Sequence, residues 1–400
     1  METRKDLSFG PNDGWIIESD NKGALTMLER TFSGKIDVAF IDPPYNTEIN
    51  YIEYKDSNFE NGWVEFMRPR VESAYNLLSE NGVMYICIDE NELSNLISIC
   101  SEIFGSDNVN ILVWKKTNEL FDANRKEKQI INVRRVHEYI ILCYKNKNLT
   151  RFSQIEQPYY VNGKWEERKQ HLETVLDYMG TTASAKDELN ELFGANNVFT
   201  TPKPMKLVKE LVRAACNKDS IVIDFFAGSG TTGHAVMDLN KEDNGNRKFI
   251  LATNNENNIC RDVTIPRIQK AIVKNGYSSK FKLLLSDERN VIGMSVDVLI
   301  DRPIGTEHPI RKGVLYPINY GYIEGLLAGD DEEQDAYILG IDQPIESFKG
   351  KIIAVIKRFD DVENKWVVAS DDKSYSKSDI KKIVRFQEEY YKTEVLMNKI

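Results

Sequence analysis

The chemically most informative segment of the chain consists of Asp42, Pro43, Pro44 and Tyr45, which follow a short apolar run at residues 38–41. Such a run is typical of a buried strand. The prolines fix two backbone φ angles and restrict the residue before them, so the Asp42 carboxylate should point outward from the strand's end. A carboxylate beside a free backbone carbonyl can accept both hydrogens of an NH2 group, and Tyr45 can stack on a flat ring. The segment therefore indicates a receptor for an amino base, with a rigid turn as the alternative.

A second informative segment is the glycine-containing turn that follows the apolar run at residues 220–224. Asp224 ends that run, and Gly228 and Gly230 let the backbone approach a ligand at the start of the next helix, where free N–H groups favour an anionic group. With Gly233 the spacing matches a dinucleotide-binding pattern, but no acidic residue follows about twenty positions later, which disfavours a nicotinamide cofactor. The chain also lacks the Gly-Lys-Ser/Thr of a P-loop. The turn indicates a cofactor cradle, with a tight strand-to-helix connection as the alternative.

Strands and helices alternate along the first part of the chain, which predicts a mostly parallel sheet in an α/β fold. The apolar patterns predict strands at residues 15–20, 38–41, 83–89, 110–115, 138–144, 220–224 and 248–253, and helices at residues 21–32, 64–78, 92–104, 187–193, 200–216, 259–275 and from residue 234 onward. Ligands of such sheets bind beyond the carboxyl ends of the strands. Both informative segments lie at such ends.

Length and composition predict two or three domains with sizeable cores, because the chain has 400 residues of which 41% are apolar. The polar N-terminus lacks a signal-like apolar stretch, and no run of about 18 apolar residues occurs, so we expect a soluble, cytoplasmic protein without a membrane segment. The five cysteines are scattered singly, which favours reduced thiols in the core over a zinc site.

The charge distribution points to the middle of the chain as the part that meets nucleic acid. The net charge of −10 argues against general coating of nucleic acid, but residues 113–170 carry thirteen Lys and Arg against seven Asp and Glu. The candidate phosphate ligands are Lys115, Lys116, Arg125, Lys126, Lys128, Arg134 and Arg135. The alternative is a solvated, charged loop.

The two segments together resemble the amino-methylating DNA methyltransferases of the β motif order, and most closely the modification subunits of Type III restriction systems. DPPYNT at residues 42–47 precedes FAGSGTT at residues 226–232, which is the family's order of catalytic motif before cofactor motif. The resemblance covers residues 14–282 and includes the segments at 82–89, 135–139 and 199–204. It implies a Rossmann-like methyltransferase fold with circularly permuted motif order in residues 1–290.

The resemblance implies S-adenosylmethionine as the methyl donor. The residues that would line this cofactor are Asp20, Thr201, Lys203, Pro204, Asp224, Phe225, Ala227, Gly228, Ser229, Gly230, Thr231 and Thr232. Asp42 and the Pro43 carbonyl would accept hydrogen bonds from the exocyclic amine of a flipped base, on which Tyr45 would stack. No separate general base is required, because the proton can leave after the nitrogen becomes cationic. Thr253 stands where many relatives carry an acidic residue for the ribose hydroxyls, so Asn254 or Glu256 is expected to substitute.

The resemblance favours adenine N6 over cytosine N4 as the target, because the family's cytosine members more often carry Ser at the position of Asp42. Methylation of cytosine C5 is excluded, since that family uses a cysteine in a Pro-Cys context and none occurs here. The expected partners are double-stranded DNA, a restriction subunit and a second copy in a homodimer. The target-recognition region, residues 146–196, is short, so sequence specificity would be limited, altered or supplied by a partner.

A second, small β-rich domain of barrel-like type is predicted at residues 294–400, where the alternation of strands and helices stops. Its tyrosine segment at residues 316–323 and its acidic segment at residues 330–335 resemble the soluble inorganic pyrophosphatases. Asp330, Glu332 and Asp335 have that family's spacing for Mg²⁺. The alternative is an acidic surface loop. Two other functions therefore stand beside methylation, a Mg²⁺-dependent phosphohydrolase and a non-catalytic DNA-binding module.

Overall fold

The structure of the protein, a computed structural model, describes residues 9–10, 13–47, 59, 62–117, 133, 135–285, 287–370 and 373–398. The chain divides into two compact units, residues 1–279 and residues 280–400. No described helix combines the length and the apolar character needed to cross a membrane. All five cysteines are buried and carry free thiols, as their scattered positions predict.

The first unit contains the predicted strands and helices in the predicted order, together with three further strands between residues 155 and 176 that the apolar pattern does not predict. Its elements are β1 (Gly14–Glu18), α1 (Asn21–Phe32), β2 (Ile36–Ile41), α2 (Trp63–Leu77), β3 (Leu78–Ile88), α3 (Leu93–Phe104), β4 (Val109–Lys115), β5 (His137–Tyr144), β6 (Ile155–Val161), β7 (Lys164–Gln170), β8 (Val175–Leu176), α4 (Thr182–Phe193), α5 (Met205–Ala215), β9 (Ile221–Asp224), α6 (Thr231–Asp243), β10 (Lys248–Thr253) and α7 (Ile265–Asn275). Short helical turns at Ser106–Asn108, Glu256–Asn258 and Cys260–Thr264 complete it.

Two helices begin earlier than the apolar pattern predicts. Helix α6 begins at Thr231 because Gly230, in the left-handed conformation with φ of 79°, ends the preceding turn directly before it. Helix α4 begins at Thr182, where Thr181 and Ser184 form a reciprocal capping box. Backbone geometry sets the start of α6, and a polar cap sets the start of α4. The spacing of apolar residues carries no information about either feature.

Eight strands of the first unit form one sheet in the order β1-β10-β9-β2-β3-β5-β4-β8, and β6 and β7 form a separate two-stranded hairpin. The five strands from β1 to β3 in this order are parallel, whereas β5 is antiparallel to both β3 and β4. From β9 the chain proceeds to β10 on one side, and from β2 it proceeds to β3 on the other. The strand order thus reverses between β9 and β2, and such a reversal opens a crevice at the carboxyl ends of the two strands.

The central strands are buried along nearly their whole length, as expected for a parallel sheet covered on both faces. In β2, Val38 and Ala39 are fully buried and pair with Val222 and Ile223 of β9. This register places Asp42, which follows β2, beside Asp224, which ends β9. The apolar strands therefore fix where the two sequence segments meet.

The second unit is built on a closed barrel of five strands. Its elements are β11 (Phe281–Leu285), β12 (Ser295–Arg302), β13 (Asn319–Leu327), β14 (Glu333–Leu339), β15 (Ser347–Arg358), β16 (Lys365–Ala369), α8 (Lys377–Ile383), α9 (Arg385–Glu388) and β17 (Thr393–Leu396). The pairings run β12-β13-β14-β16-β15 and close because β15 also pairs with β12. Tyr316, Tyr320 and Tyr337 pack in its core. The predicted α/β fold with a β-rich, barrel-like C-terminal part is confirmed.

Gly233 in α6 offers a test of how closely this helix must pack on the sheet. A Cβ atom there would lie 2.8 Å from Ile268 Cδ1 and 3.0 Å from Leu251 Cδ1. We expect Gly233→Ala to lower the free energy of unfolding by about 1–3 kcal/mol through overpacking, measured by urea unfolding. Gly23→Ala in the exposed part of α1 is the control, because its Cβ would meet only Ser19 Oγ, at 3.1 Å. Equal stability of Gly233→Ala and the unsubstituted protein would contradict the close packing of α6.

Candidate active site

The segment after β2 is held in place by two side chains from elsewhere in the chain. The Pro44 carbonyl accepts a hydrogen bond of 2.7 Å from Trp63 Nε1 at the start of α2. Asn46 adopts a left-handed conformation with φ of 58°, and its amide donates to Glu92 Oε1 at 2.7 Å. These contacts fix the segment at both ends, so Asp42 is presented from a rigid turn.

Asp42 lies in a cluster of charged side chains, the Asp42 cluster, which also contains Tyr45, Lys116, Glu138 and Lys203. Lys203 Nζ lies 2.7 Å from each Asp42 carboxylate oxygen, 3.0 Å from Tyr45 Oη and 3.3 Å from Glu138 Oε2. The Tyr45 hydroxyl lies 2.7 Å from Asp42 Oδ1 and 3.0 Å from Glu138 Oε2. Lys116 Nζ donates to Glu138 Oε1 at 3.0 Å. Two carboxylates and two ammonium groups thus neutralise one another, which is the condition under which charges are tolerated inside a protein.

The pKa values in the Asp42 cluster follow from burial and from these pairings. Burial disfavours a charged lysine, but Asp42 and Glu138 outweigh it and raise the pKa of Lys203 well above its usual range. Burial raises the pKa of Asp42, an effect that Lys203 opposes. Burial would also raise the pKa of Glu138, but Lys203 and Lys116 outweigh it and hold that pKa below its ordinary value. Lys203 is therefore an ammonium group that can only donate hydrogen bonds.

Two cavities open on either side of Asp42. The β9 cavity, of about 320 Å³, is lined by Asp20, Asn21, Phe40, Asp42, Pro44, Phe59, Phe66, Phe199, Thr201, Pro202, Lys203, Asp224, Phe225, Phe226, Ala227, Gly228, Ser229, Thr231, Thr232, Thr253, Asn254, Glu256 and Ile259. The β5 cavity, of about 430 Å³, is lined by Asp42, Pro43, Tyr45, Thr47, Asp89, Glu90, Asn91, Lys116, Thr117, Arg135, Glu138, Thr182, Thr201, Pro202 and Lys203. Asp42, Thr201, Pro202 and Lys203 line both. Two ligands, one in each cavity, would meet at Asp42.

The β9 cavity contains a buried carboxylate with capacity for further hydrogen bonds. Asp224 accepts from Thr232 Oγ1 at 2.6 Å and from the Phe226 backbone N–H at 3.0 Å, and each carboxylate oxygen can accept a second bond. Burial outweighs these two bonds and raises the pKa of Asp224 to about 7. Arg267 Nη1 fixes the adjoining turn by donating to Ser229 Oγ at 3.0 Å and to Thr231 Oγ1 at 2.7 Å. A positively charged or hydroxyl-bearing ligand would satisfy Asp224.

Ten of the twelve residues proposed from sequence for the cofactor line the β9 cavity, whereas Gly230 and Pro204 do not. Gly230 acts through the backbone as the N-cap of α6, and Pro204 is the residue before α5. Asn254 and Glu256, named as substitutes for the missing acidic residue, also line this cavity. Sequence reasoning missed the aromatic and aliphatic walls, which are Phe40, Phe59, Phe66, Phe199, Phe226 and Ile259. Two of these residues lay in segments that carry the resemblance, Phe226 in the glycine-turn motif and Phe199 in the segment at residues 199–204.

The candidate phosphate ligands divide into two groups. Arg125, Lys126, Lys128 and Arg134 lie outside the described residues. Lys116 and Arg135 line the β5 cavity, where Lys116 pairs with Glu138 and Arg135 pairs with Glu90. Lys115 ends β4. Their contact with DNA stays a prediction.

Glu138 is a site residue that lies in the segment at residues 135–139, which carries part of the resemblance, but no individual role was predicted for it. It lies on β5 with 8% exposure and joins both lysines of the Asp42 cluster. No local pattern in the sequence indicates the pairing of Glu138 with Lys203, because the two residues are far apart in the chain. In the sheet, the strand of Glu138 lies two positions from β2.

The predicted metal site at Asp330, Glu332 and Asp335 is not formed. Within residues 287–370, Asp335 pairs with Lys365 and accepts the Tyr320 hydroxyl at 2.5 Å, while Asp330 Oδ1 accepts the Glu332 backbone N–H at 3.1 Å. Nowhere in the described parts of the chain are three or more His, Cys, Asp or Glu side chains grouped so that they could hold a metal ion. The spacing matches the motif, but the Asp335 carboxylate pairs with a lysine and the Asp330 carboxylate accepts a hydrogen bond from its own loop.

Comparison with known proteins relates the chain to DNA-modifying enzymes. A family model described as DNA methylase, N6_N4_Mtase, matches residues 36–265, more than half of the chain. The chain is 27% identical over 344 residues to the Type III restriction-modification enzyme StyLTI Mod subunit of Salmonella typhimurium, covering 60% of this chain and 52% of that protein. It is 25% identical over 413 residues to the Type III restriction-modification enzyme EcoP15I Mod subunit of Escherichia coli, covering 67% and 61%.

The chain thus spans about half to three fifths of the length of these relatives. Among solved structures, the PvuII DNA methyltransferase (cytosine-N4-specific) is 16% identical with a TM-score of 0.45, and the match covers 69% of this chain and 99% of that one.

Asp224 predicts a pH-dependent loss of stability. Its pKa of about 7 in the folded protein exceeds the ordinary value of 3.8, so its favourable contribution is complete below about pH 4 and is lost as pH rises through 7. Asp224→Asn removes this titration. We expect its stability relative to the unsubstituted protein to increase between about pH 4 and pH 8, by roughly 1–4 kcal/mol. Urea unfolding across this range measures the change.

The matched control is Asp219→Asn, the same substitution at an exposed position in the same unit. Its pH profile should follow that of the unsubstituted protein. A profile of Asp224→Asn that also runs parallel to it would show that Asp224 does not titrate in this range.

Proposed function

The chain belongs to the DNA methylase family whose model it matches, and on this premise we propose that it transfers a methyl group from S-adenosylmethionine to the exocyclic N6 of adenine in double-stranded DNA. The observation that carries the proposal is the meeting of the β9 and β5 cavities at Asp42 and Lys203. A transfer between two bound molecules needs both reacting groups at one place, and this wall is the place that the two cavities share.

The β9 cavity has the chemistry that S-adenosylmethionine would require. Phe66 and Phe226 supply apolar aromatic walls for a flat adenine ring, and Asp224 and Glu256 supply acceptors for amino and hydroxyl groups. Gly228, in the left-handed conformation with φ of 47°, brings the backbone close to the cavity. When bound, S-adenosylmethionine supplies a methyl group activated by a sulfonium. The residues of the chain bind and orient it and exclude water around it.

The β5 cavity would receive the target base. An Asp42 oxygen would accept a hydrogen from the exocyclic amine and hold the nitrogen at the wall shared with the β9 cavity. The Tyr45 hydroxyl is held by Asp42 and Glu138, which limits the orientations of its ring beside the base. The proton need not be taken by a separate base, since it can leave once the nitrogen has become cationic.

Adenine is proposed over cytosine because position 42 is Asp, and the relatives that methylate cytosine N4 more often have Ser there. We also propose that the protein works with a restriction subunit, because the matched relatives are Mod subunits of Type III restriction-modification enzymes. We further propose that it acts as a homodimer in the cytoplasm. The hairpin β6–β7 within residues 146–196 exposes Tyr160 and Trp165, with their rings 5.1 Å apart, and is proposed to contact DNA beside the flipped base.

Transfer of a tritiated methyl group to DNA tests the proposal. We expect the unsubstituted protein to label DNA and Asp42→Ala to lower the rate by about 100-fold or more, because the amine loses its acceptor. Asp107→Ala, at an exposed position in the same unit, should keep the full rate. Digestion of the product to nucleosides should place the label in N6-methyladenine.

Label incorporation that Asp42→Ala leaves unchanged would refute the assignment of the site. Label in N4-methylcytosine would refute only the choice of adenine. Circular dichroism and binding of S-adenosylmethionine confirm that the Asp42→Ala protein is folded.

A further inference from the structure

We propose that Lys203 donates a hydrogen bond to the ring nitrogen next to the target amine, so that Asp42 and Lys203 together select the base. This inference deepens the proposed function and rests on it. It assigns to Lys203 a contact with the base in the β5 cavity, in addition to its place in the wall of the β9 cavity. The class of substrate it predicts is a base with an amine beside an unprotonated ring nitrogen.

The position of Lys203 supports this assignment. Its side chain is only 9% exposed, and Nζ lies 2.7 Å from both Asp42 oxygens. An acceptor and a donor therefore stand side by side in the wall of one cavity. Asn and Gln side chains present such a pair to adenine in DNA grooves, where they form two hydrogen bonds with one base edge.

Lys203 can form such a contact by exchanging one of its present hydrogen bonds. An ammonium group has three N–H donors, and four oxygens of Asp42, Tyr45 and Glu138 lie within 3.3 Å of Nζ. The donors are already shared, so one can turn to a ring nitrogen while the ion pairs with both carboxylates persist. The Tyr45 hydroxyl lies within hydrogen-bond distance of both carboxylates and can donate to the oxygen that is released.

The same pair would reject the other bases. Adenine and cytosine carry an NH2 group beside a ring nitrogen that accepts, which matches Asp42 and Lys203. At the edge that corresponds to this one, guanine carries O6 beside its N1–H and thymine carries O4 beside its N3–H, which would set acceptor against acceptor and donor against donor. In a buried site each mismatch leaves polar groups unpaired, so the penalty is large.

A merely structural role for Lys203 predicts a different result. If Lys203 only neutralised Asp42, its removal would lower the rate on every substrate by the same factor. If Lys203 donates to the ring nitrogen, the loss of rate caused by removing Lys203 and the loss caused by removing that nitrogen must be non-additive. A comparison that changes one atom of the base separates the two roles.

The experiment uses 1-deazaadenine, which keeps the exocyclic amine and replaces the ring N1 by C–H. The recognition sequence is first identified by modification-sensitive sequencing, and duplexes then carry adenine or 1-deazaadenine at the target position. We compare kcat/KM of the unsubstituted protein, Lys203→Met and Lys203→Arg. Lys206→Met is the matched control, because Lys206 lies three residues further along, is exposed and lines neither cavity.

We expect the unsubstituted protein to lose about 10- to 100-fold in kcat/KM on 1-deazaadenine, the size expected for a hydrogen bond to a charged group. Lys203→Met should be slower on adenine and should lose at most about 3-fold on 1-deazaadenine, since any change in the reactivity of the amine itself affects both proteins equally. Lys203→Arg keeps a charged donor, and Lys206→Met leaves Lys203 in place. Both variants should therefore still lose kcat/KM when 1-deazaadenine replaces adenine.

Equal kcat/KM of the unsubstituted protein on the two duplexes would overturn the inference without any variant. An equal loss in the unsubstituted protein and in Lys203→Met would overturn it as well. Equilibrium binding of both duplexes by fluorescence anisotropy gives the same comparison if Lys203→Met has no turnover. Absence of methyl transfer to adenine by the unsubstituted protein would instead refute the proposed function, so the two failures are distinguishable.

Discussion

The ion pair between Lys203 and Asp42 is the interaction on which the arrangement of the site depends. Asp42 follows β2 and Lys203 precedes α5, so the pair joins the turn after β2 to the segment that leads into β9. A carboxylate placed between two cavities without a counter-charge would be costly to bury. With Lys203, Lys116 and the second carboxylate, Glu138, the charges balance, and the turn can stay rigid while it lines two cavities.

The sheet determines that this pair can form at all. Strands β2 and β9 are hydrogen-bonded neighbours although more than 150 residues separate them, and the chain leaves them in opposite directions. The crevice lies between the segments that follow β2 and β9, and the order of the strands in the sheet creates it. It does not depend on which of the two motifs comes first in the chain. The apolar residues that bury β2 and β9 thereby set the spacing between Asp42, which follows β2, and Asp224, which ends β9.

The parts of this arrangement that are local in sequence could be predicted. Asp42 and Asp224 could be located because each ends a short apolar run, and the proline and glycine residues beside them have fixed backbone consequences. The Asp42 cluster could not be predicted, because the sequence indicated other roles for Lys203 and Lys116, and their pairing with Asp42 and Glu138 joins residues far apart in the chain. At Asp335 the sequence predicted a function that the fold does not provide. The acidic residues have the spacing of a metal site, but Lys365, thirty residues further along, pairs with the Asp335 carboxylate.

The closed barrel of residues 280–400 has a consequence for how this unit can associate with other molecules. Each of its five strands, β12 to β16, pairs with two of the others, so none is an edge strand along its whole length. Another chain therefore finds no full-length open edge among these five strands. Recognition through the barrel must then depend on side chains and loops, which can change from one protein to the next without disturbing the backbone pairing beneath them.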